Sequence, residues 1–213
     1  MATKQQIEEF VRQAHRVGQE RLQLCSSGNI SWKVEENLAL VSSTGSWLTR
    51  LQAEHVAICD ITTGVCIEGA KPSMESSFHL HLLRERKDVS VVLHFQSEYA
   101  TVISCLKKKP ENFNVTAEVP CYCGKEIPVV PYCRPGSPEL AAAVAEALKD
   151  HDTALLSKHG QVVCGKNFDD AFQKAVFFEM ACGIIVRAGE GNYLTLTDAE
   201  IRELEIFVSG KKS

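Results

Sequence analysis

The sequence predicts an α/β fold, a three-layer α/β/α domain with a largely antiparallel central sheet. Three observations predict it. In the first third, short apolar strands alternate with polar turns, a pattern that builds hairpins and not βαβ crossovers. Segments of helical period precede and follow those strands. No Gly-x-Gly-x-x-Gly follows a strand, which removes the usual support for a parallel dinucleotide-binding sheet. At 213 residues the chain is read as one domain, 1–213. A domain of that size buries roughly 70% of its unfolded surface and needs no disulfide or structural metal to fold.

Taken in order, residues 5–24 place Ile7, Phe10, Val11, Ala14, Val17 and Leu22 at helical spacing opposite Glu8, Glu9, Arg12 and Arg21, an amphipathic opening helix. Strands are expected at 30–34 and 38–42 around the turn Glu35-Glu36-Asn37. A second pair is expected at 56–61 and 65–68 around Thr62-Thr63-Gly64. Residues 74–85 suit a helix, and 90–95 form the continuous apolar run of a strand buried on both faces. Helices follow at about 97–106, 138–149, 169–186 and 198–208. Strands are expected at 127–130, and at 154–157 and 161–164 flanking Lys158-His159-Gly160.

Composition narrows the function. The hydrophobic fraction of 45% and charged fraction of 23% are those of an ordinary globular protein. A formal net charge of −4 gives no electrostatic footing for nucleic acid, and the run Lys107-Lys108-Lys109 reads as a solvated loop. No stretch approaches the roughly 18 apolar residues that span a bilayer, and no signal-peptide core follows Met1, so a cytoplasmic protein without membrane partners is expected. Nine scattered cysteines then read as reduced thiols. Cys121-Tyr122-Cys123 lacks the second pair that a zinc site needs.

Four segments place polar groups where a packed core would not want them. Ser26-Ser27-Gly28-Asn29 precedes the first strand; its Gly28 lets backbone amides point at an anion, although taken alone a helix C-cap and turn is the plainer reading. Ser42-Ser43-Thr44-Gly45 repeats that chemistry after a strand. Lys71-Pro72-Ser73-Met74-Glu75 opens a helix: Ser73 can cap it, its amides can face a phosphate, and Glu75 alone reads as a first-turn acid favourable to the dipole. Finally, His94 ends the buried strand and His159 lies between two others. Histidines at strand ends assemble a divalent metal site when they meet, and otherwise are satisfied core residues. His79 and His81, two apart on a helix, point to different faces.

In order, these segments resemble the class II aldolase/adducin family, most closely its L-fuculose-phosphate aldolase branch. The family pattern G-N-[IV]-S, T-G, P-S-S-E, H-x-H and H-G stands here as Gly28-Asn29-Ile30-Ser31, Thr44-Gly45, Pro72-Ser73-Met74-Glu75, His94-Phe95-Gln96 and His159-Gly160. The resemblance implies a zinc-dependent enzyme, one Zn²⁺ per chain, assembled as a homotetramer with active sites between subunits. It implies that His94 and His159 ligate the metal and that Glu75 is the catalytic acid or base that also contacts it. Ser26, Gly28, Asn29, Thr44, Gly45 and Ser73 then hold the phosphate of a small sugar phosphate.

The implied reaction is cleavage of a ketose 1-phosphate, foremost L-fuculose 1-phosphate, to dihydroxyacetone phosphate and L-lactaldehyde. Three departures stand out. Gln96 replaces the second histidine of H-x-H and is the candidate third ligand. Met74 replaces a serine. No tyrosine occurs at 114–118, where fuculose-phosphate aldolases carry a catalytic one, nor in the C-terminal 207–213. Three alternatives on the same fold stay open: a pentulose-phosphate 4-epimerase, a methylthioribulose-phosphate dehydratase, and a non-catalytic adducin-like module.

Overall fold

The computed structural model describes residues 1–210. Its centre is one eight-stranded sheet built from β1 (Asn29–Glu35), β2 (Leu38–Ser42), β3 (Val56–Asp60), β4 (Cys66–Gly69), β5 (Val91–Phe95), β6 (Val129–Val130), β7 (Thr153–Leu156) and β8 (Gly160–Gly165), in the order β4-β3-β2-β1-β5-β8-β7-β6. Every neighbouring pair is antiparallel except β6 with β7. The hairpins expected of the first third supply one half of the sheet, and β5 sits in the middle with all five residues buried, as its unbroken apolar run requires.

Helices α1 (Lys4–Gln19), α2 (Ser76–Glu85), α3 (Glu98–Cys105), α4 (Pro138–Ala147) and α5 (Phe168–Ala188) cover the sheet, and α6 (Asp198–Gly210) follows. On one face Phe10, Ala14 and Val17 of α1 and Phe168, Phe172 and Ala175 of α5 pack on Ile30, Leu40, Leu93 and Val163. On the other, Phe78, Leu82 and Leu83 of α2 and Leu140 and Val144 of α4 pack on Val41, Val92, Ala154 and Val162. The alternation Leu93 to one side and Val92 to the other is the two-residue period of a strand sandwiched between helical layers. Each large apolar side chain so buried contributes roughly 1.5–3 kcal/mol.

Element ends differ from expectation in places. The opening helix stops at Gln19 and not at residue 24: Arg21 adopts a positive φ of 57°, and the chain turns so that Leu22 enters the core. The 127–130 strand shrinks to two residues. A π-helical turn, Val119–Cys123, had no periodic signal to reveal it. Helix α2 begins at Ser76, two residues after the expected start, with Glu75 at its N-cap position and no side-chain capping bond. Ser73 therefore does not cap the helix as expected; its hydroxyl accepts from the Glu75 amide at 3.3 Å and closes the turn before it. Among the described residues no helix is long and apolar enough to cross a membrane.

Candidate active site

The antiparallel pairing of β5 with β8 brings the end of one strand beside the start of the other, so His94 of β5 and His159, just before β8, meet at one end of these two central strands. Their ring centroids are 4.8 Å apart. Glu75 reaches them from the turn preceding α2: its Oε2 lies 3.4 Å from His94 Nε2 and its Oε1 3.6 Å from His159 Nε2. A ligand atom from each of the three lies within 4.8 Å of the others. A carboxylate at an N-cap ordinarily folds back onto its own helix amides. Here it turns inward instead, with Glu75 only 5% exposed.

The polar atoms of this cluster are incompletely partnered. Glu75 Oε1, His94 Nε2 and His159 Nδ1 are buried without a hydrogen bond. His94 Nδ1–H donates to the Gln161 carbonyl at 2.9 Å, which fixes the tautomer and leaves the Nε2 lone pair turned toward Glu75. Burial, helped by His94 and opposed by Glu75, pushes the His159 imidazole down to about 4, so it is neutral at pH 7. Two imidazoles and a carboxyl group, each with a buried atom left without a hydrogen bond, are a donor set suited to a divalent cation such as zinc. Unpartnered buried groups of this kind would otherwise cost about 1–3 kcal/mol apiece.

Behind Glu75 lies a second layer. Asn29, paired with His94 across β1 and β5, donates from Nδ2 to Glu75 Oε2 at 3.0 Å. The Asn29 Oδ1 meets Nε2 of His79, whose Nδ1 lies 2.8 Å from the Ser31 hydroxyl. Sequence reading placed His79 and His81 on different faces of α2, and His79 is indeed buried while His81 is half-buried. It missed that His79 stands four residues after Glu75, one helical turn along the same face, which was the available signal.

The loops expected to hold phosphate converge by backbone pairing. Thr44 N–H donates to the Lys71 carbonyl, and Ser73 N–H to the Ser42 carbonyl, joining the Ser42–Gly45 loop to the Lys71–Ser73 segment. Thr44, Gly45 and Ser26 are exposed, while Ser73 and Asn29 are buried. Gly28, at φ 91°, runs so close to β5 that a Cβ would stand 2.6 Å from the His94 carbonyl oxygen, which ties its loop to the histidine strand. Gln96, half-buried, continues from β5; its Cγ lies 2.8 Å, and His94 Cε1 3.1 Å, from where a Gly160 Cβ would be. The Gln96 stem thus flanks the same glycine as His94. Met74 is exposed and covers Gly136. Tyr122 is exposed on the π-helical turn, its ring 5.0 Å from Phe177. Of the tyrosine-free C-terminal segment, residues 211–213 lie outside the described residues. A separate groove of about 660 Å³ between Val102, Leu106, Lys109, Val186 and Tyr193 gathers none of these donors.

One carboxyl group and two imidazoles at the ends of two central strands form a cluster that could hold a divalent metal. The family model described as class II aldolase and adducin N-terminal domain matches residues 8–186, and the chain belongs to that family. A 3-oxo-tetronate 4-phosphate decarboxylase of Haemophilus influenzae is 32% identical over 181 residues, 84% of this chain and 86% of the relative. An L-fuculose phosphate aldolase of Methanococcus vannielii is 35% identical over 173 residues, 81% of this chain and 91% of the relative. Among solved structures, YgbL of Escherichia coli superposes with a TM-score of 0.86 at 32% identity, covering 93% of this chain and 96% of its own. An L-fuculose 1-phosphate aldolase gives 0.88 at 26% identity, covering 100% and 99%.

Proposed function

We propose that the protein cleaves the bond between the carbons α and β to the ketone of a small phosphorylated substrate, leaving dihydroxyacetone phosphate. The observation that carries this reading is the buried Glu75, His94 and His159 cluster with its unpartnered atoms. Phosphate is assigned to Ser26, Gly28, Thr44, Gly45 and Ser73, joined by the second amide hydrogen of Asn29, since only one of the two is committed to Glu75. A divalent cation on His94, His159 and Glu75, with Gln96 as candidate further ligand, supplies the positive charge that stabilises an oxyanion developing as the bond breaks. Glu75 is the proton carrier: it takes up a proton from water and delivers it to the carbon that inherits the electron pair.

Two substrates yield the same enediolate. In a 3-oxo-tetronate 4-phosphate the C1–C2 bond breaks, carbon dioxide leaves, the electron pair enters the C2–C3 enediolate, and protonation at C2 gives dihydroxyacetone phosphate. In L-fuculose 1-phosphate the C3–C4 bond breaks, and a second group must also take the proton of the C4 hydroxyl as L-lactaldehyde leaves. Residues 114–118 offer no tyrosine for that task, and Tyr122 is engaged with Phe177. Decarboxylation needs no such group. It is therefore the reading this chain supports best, and the relatives that carry that name are consistent with it. The aldolase reading is retained on the strength of relatives with that name.

We assign the reaction to one domain, 1–213, of a cytoplasmic homotetramer, consistent with nine unpaired cysteines and a charged substrate. Zinc-loaded protein incubated with each of the two substrates decides between them. Dihydroxyacetone phosphate with stoichiometric carbon dioxide from the first is the expected result. Release from the fuculose ester alone would transfer the assignment to the aldolase reading, and release from neither would remove both.

A further inference from the structure

We propose that His79 is a positioning residue, and that the buried chain Ser31, His79, Asn29 sets the rotamer of Glu75 and hence the shape of the metal site. The inference rests on the proposed function for the role of Glu75, but the hydrogen-bond chain itself does not depend on it.

The direction of the chain follows from what each atom can do. Glu75 Oε2 only accepts, so the Asn29 atom 3.0 Å from it is the NH₂ group. Asn29 is thereby oriented with its carbonyl Oδ1 facing His79 Nε2, which must donate. A neutral imidazole donates from one nitrogen only, so Nδ1 accepts from the Ser31 hydroxyl at 2.8 Å. With Glu75 as a carboxylate and His79 as a neutral ring, this arrangement gives every bond of the chain one donor and one acceptor. The ring itself is fully buried and lies against Phe78, centroids 4.6 Å apart, which prevents it from swinging. Burial, with His94 adding to it, pushes its pKa down to about 3, so the neutral form persists. Two strands, β1 through Asn29 and Ser31 and β5 through His94, are thus locked to one helix, α2, at the point where the carboxylate emerges.

Replacing His79 by an apolar ring of similar size leaves Ser31 Oγ and Asn29 Oδ1 buried without partners. Asn29 is then free to turn its carbonyl toward the carboxylate, which Glu75 must avoid. Groups that orient metal ligands typically govern about 10- to 100-fold in metal affinity.

Three measurements test the idea, and the first two need no turnover. In ¹⁵N-labelled metal-free protein, His79 should be the Nε2–H tautomer with a hydrogen-bonded Nδ1; an Nδ1–H ring would overturn the proposal. In competitive chelator titrations with zinc, His79→Phe should bind about 10- to 100-fold more weakly, while His79→Gln, whose amide can still donate to Asn29, should recover most of the loss. Equal affinity of wild type and His79→Phe would overturn it, as would a His79→Gln no better than His79→Phe. If His79→Phe does not fold, Asn29→Ala serves in its place with the same expected loss, and an unchanged zinc affinity there is equally fatal. With the substrate that wild type turns over, His79→Phe at saturating zinc should lower kcat, because Glu75 is no longer held in place; a wild-type kcat with only KM changed would overturn the assignment. Failure of the proposed reaction would show instead as wild-type inactivity on both phosphates with tautomer and zinc results intact.

Discussion

Two buried polar clusters sit at opposite ends of strands β5 and β8, and they are built on opposite terms. At the far end, Lys174 of α5 donates from Nζ to Asp152 Oδ2, Asp170 Oδ2 and the Cys164 carbonyl, at 2.8, 2.9 and 2.9 Å. Arg86 donates to Asp152, Asp88 and the carbonyls of Leu148 and His151. All three Lys174 donors are used. At the near end, Glu75 Oε1, His94 Nε2 and His159 Nδ1 are each buried without a hydrogen-bond partner. The same strands carry both clusters, so burial alone does not mark a functional site. What separates them is whether the charges and hydrogen bonds close within the protein.

If the near cluster is chemical and the far one structural, their mutants should fail in different currencies. The largest effect is expected from Glu75→Gln, which keeps the shape and still offers an oxygen to Asn29 but cannot carry a proton. Turnover at saturating zinc should fall by on the order of 10² to 10⁴, with the thermal unfolding midpoint nearly unmoved. A variant as active as wild type would reduce Glu75 to a first-turn acid.

Lys174→Met should do the reverse. Removing one partner of a buried ion cluster typically costs about 3–5 kcal/mol, and because Asp152 keeps 34% of its side chain exposed the lower end is expected here. Urea denaturation should show that loss while zinc affinity stays that of wild type. An unchanged midpoint would mean that the far cluster is not what secures α5 to the sheet.

A smaller effect tests the incomplete side of the comparison directly. Gln96→His should tighten zinc by at least the roughly 10-fold associated with groups around a metal, read by chelator competition. No gain would show that Gln96, although it flanks Gly160 with His94, does not face the metal.

The last test is acid titration of metal-free protein. His79 and His159 are held neutral in the fold, their pKa values lowered to about 3 and about 4, whereas unfolded histidine titrates near 6.5. Between those values the unfolded chain binds more protons, so stability is complete above about pH 6.5 and declines as the pH falls toward 4. His79→Phe should flatten part of that slope in urea midpoints measured from pH 7 to 4; an identical slope would show that folding leaves the His79 pKa unshifted.

Much of this was legible in the sequence because it is periodic or punctuated. The hairpins of β1 to β4, the buried run of β5 and the helices α4 and α5 follow from local pattern. The meeting of His94, His159 and Glu75 was reached through motif order and not from spacing, since 65 residues of chain separate the histidines and only the β5–β8 register closes the gap. Two things stayed illegible. The turn that puts Glu75 at the N-cap position without capping depends on the Ser42–Ser73 pairing, a contact between loops with no periodicity. The His79 chain depends on which nitrogen donates, which is settled by Asn29 and Ser31 fifty residues upstream.

Gly160 opens β8 directly after His159. A methyl group there would stand 2.5 Å from the Phe95 carbonyl oxygen, 2.8 Å from Gln96 Cγ and 3.1 Å from His94 Cε1. The first of these is backbone and cannot yield. For an evolving lineage the position is a closed door: no side chain can be sampled there without prising apart the two strands that present the histidines. Met74 over Gly136, exposed and flexible, is an open one. Change in this scaffold should therefore accumulate at positions such as Met74, while Gly160 is inherited unchanged.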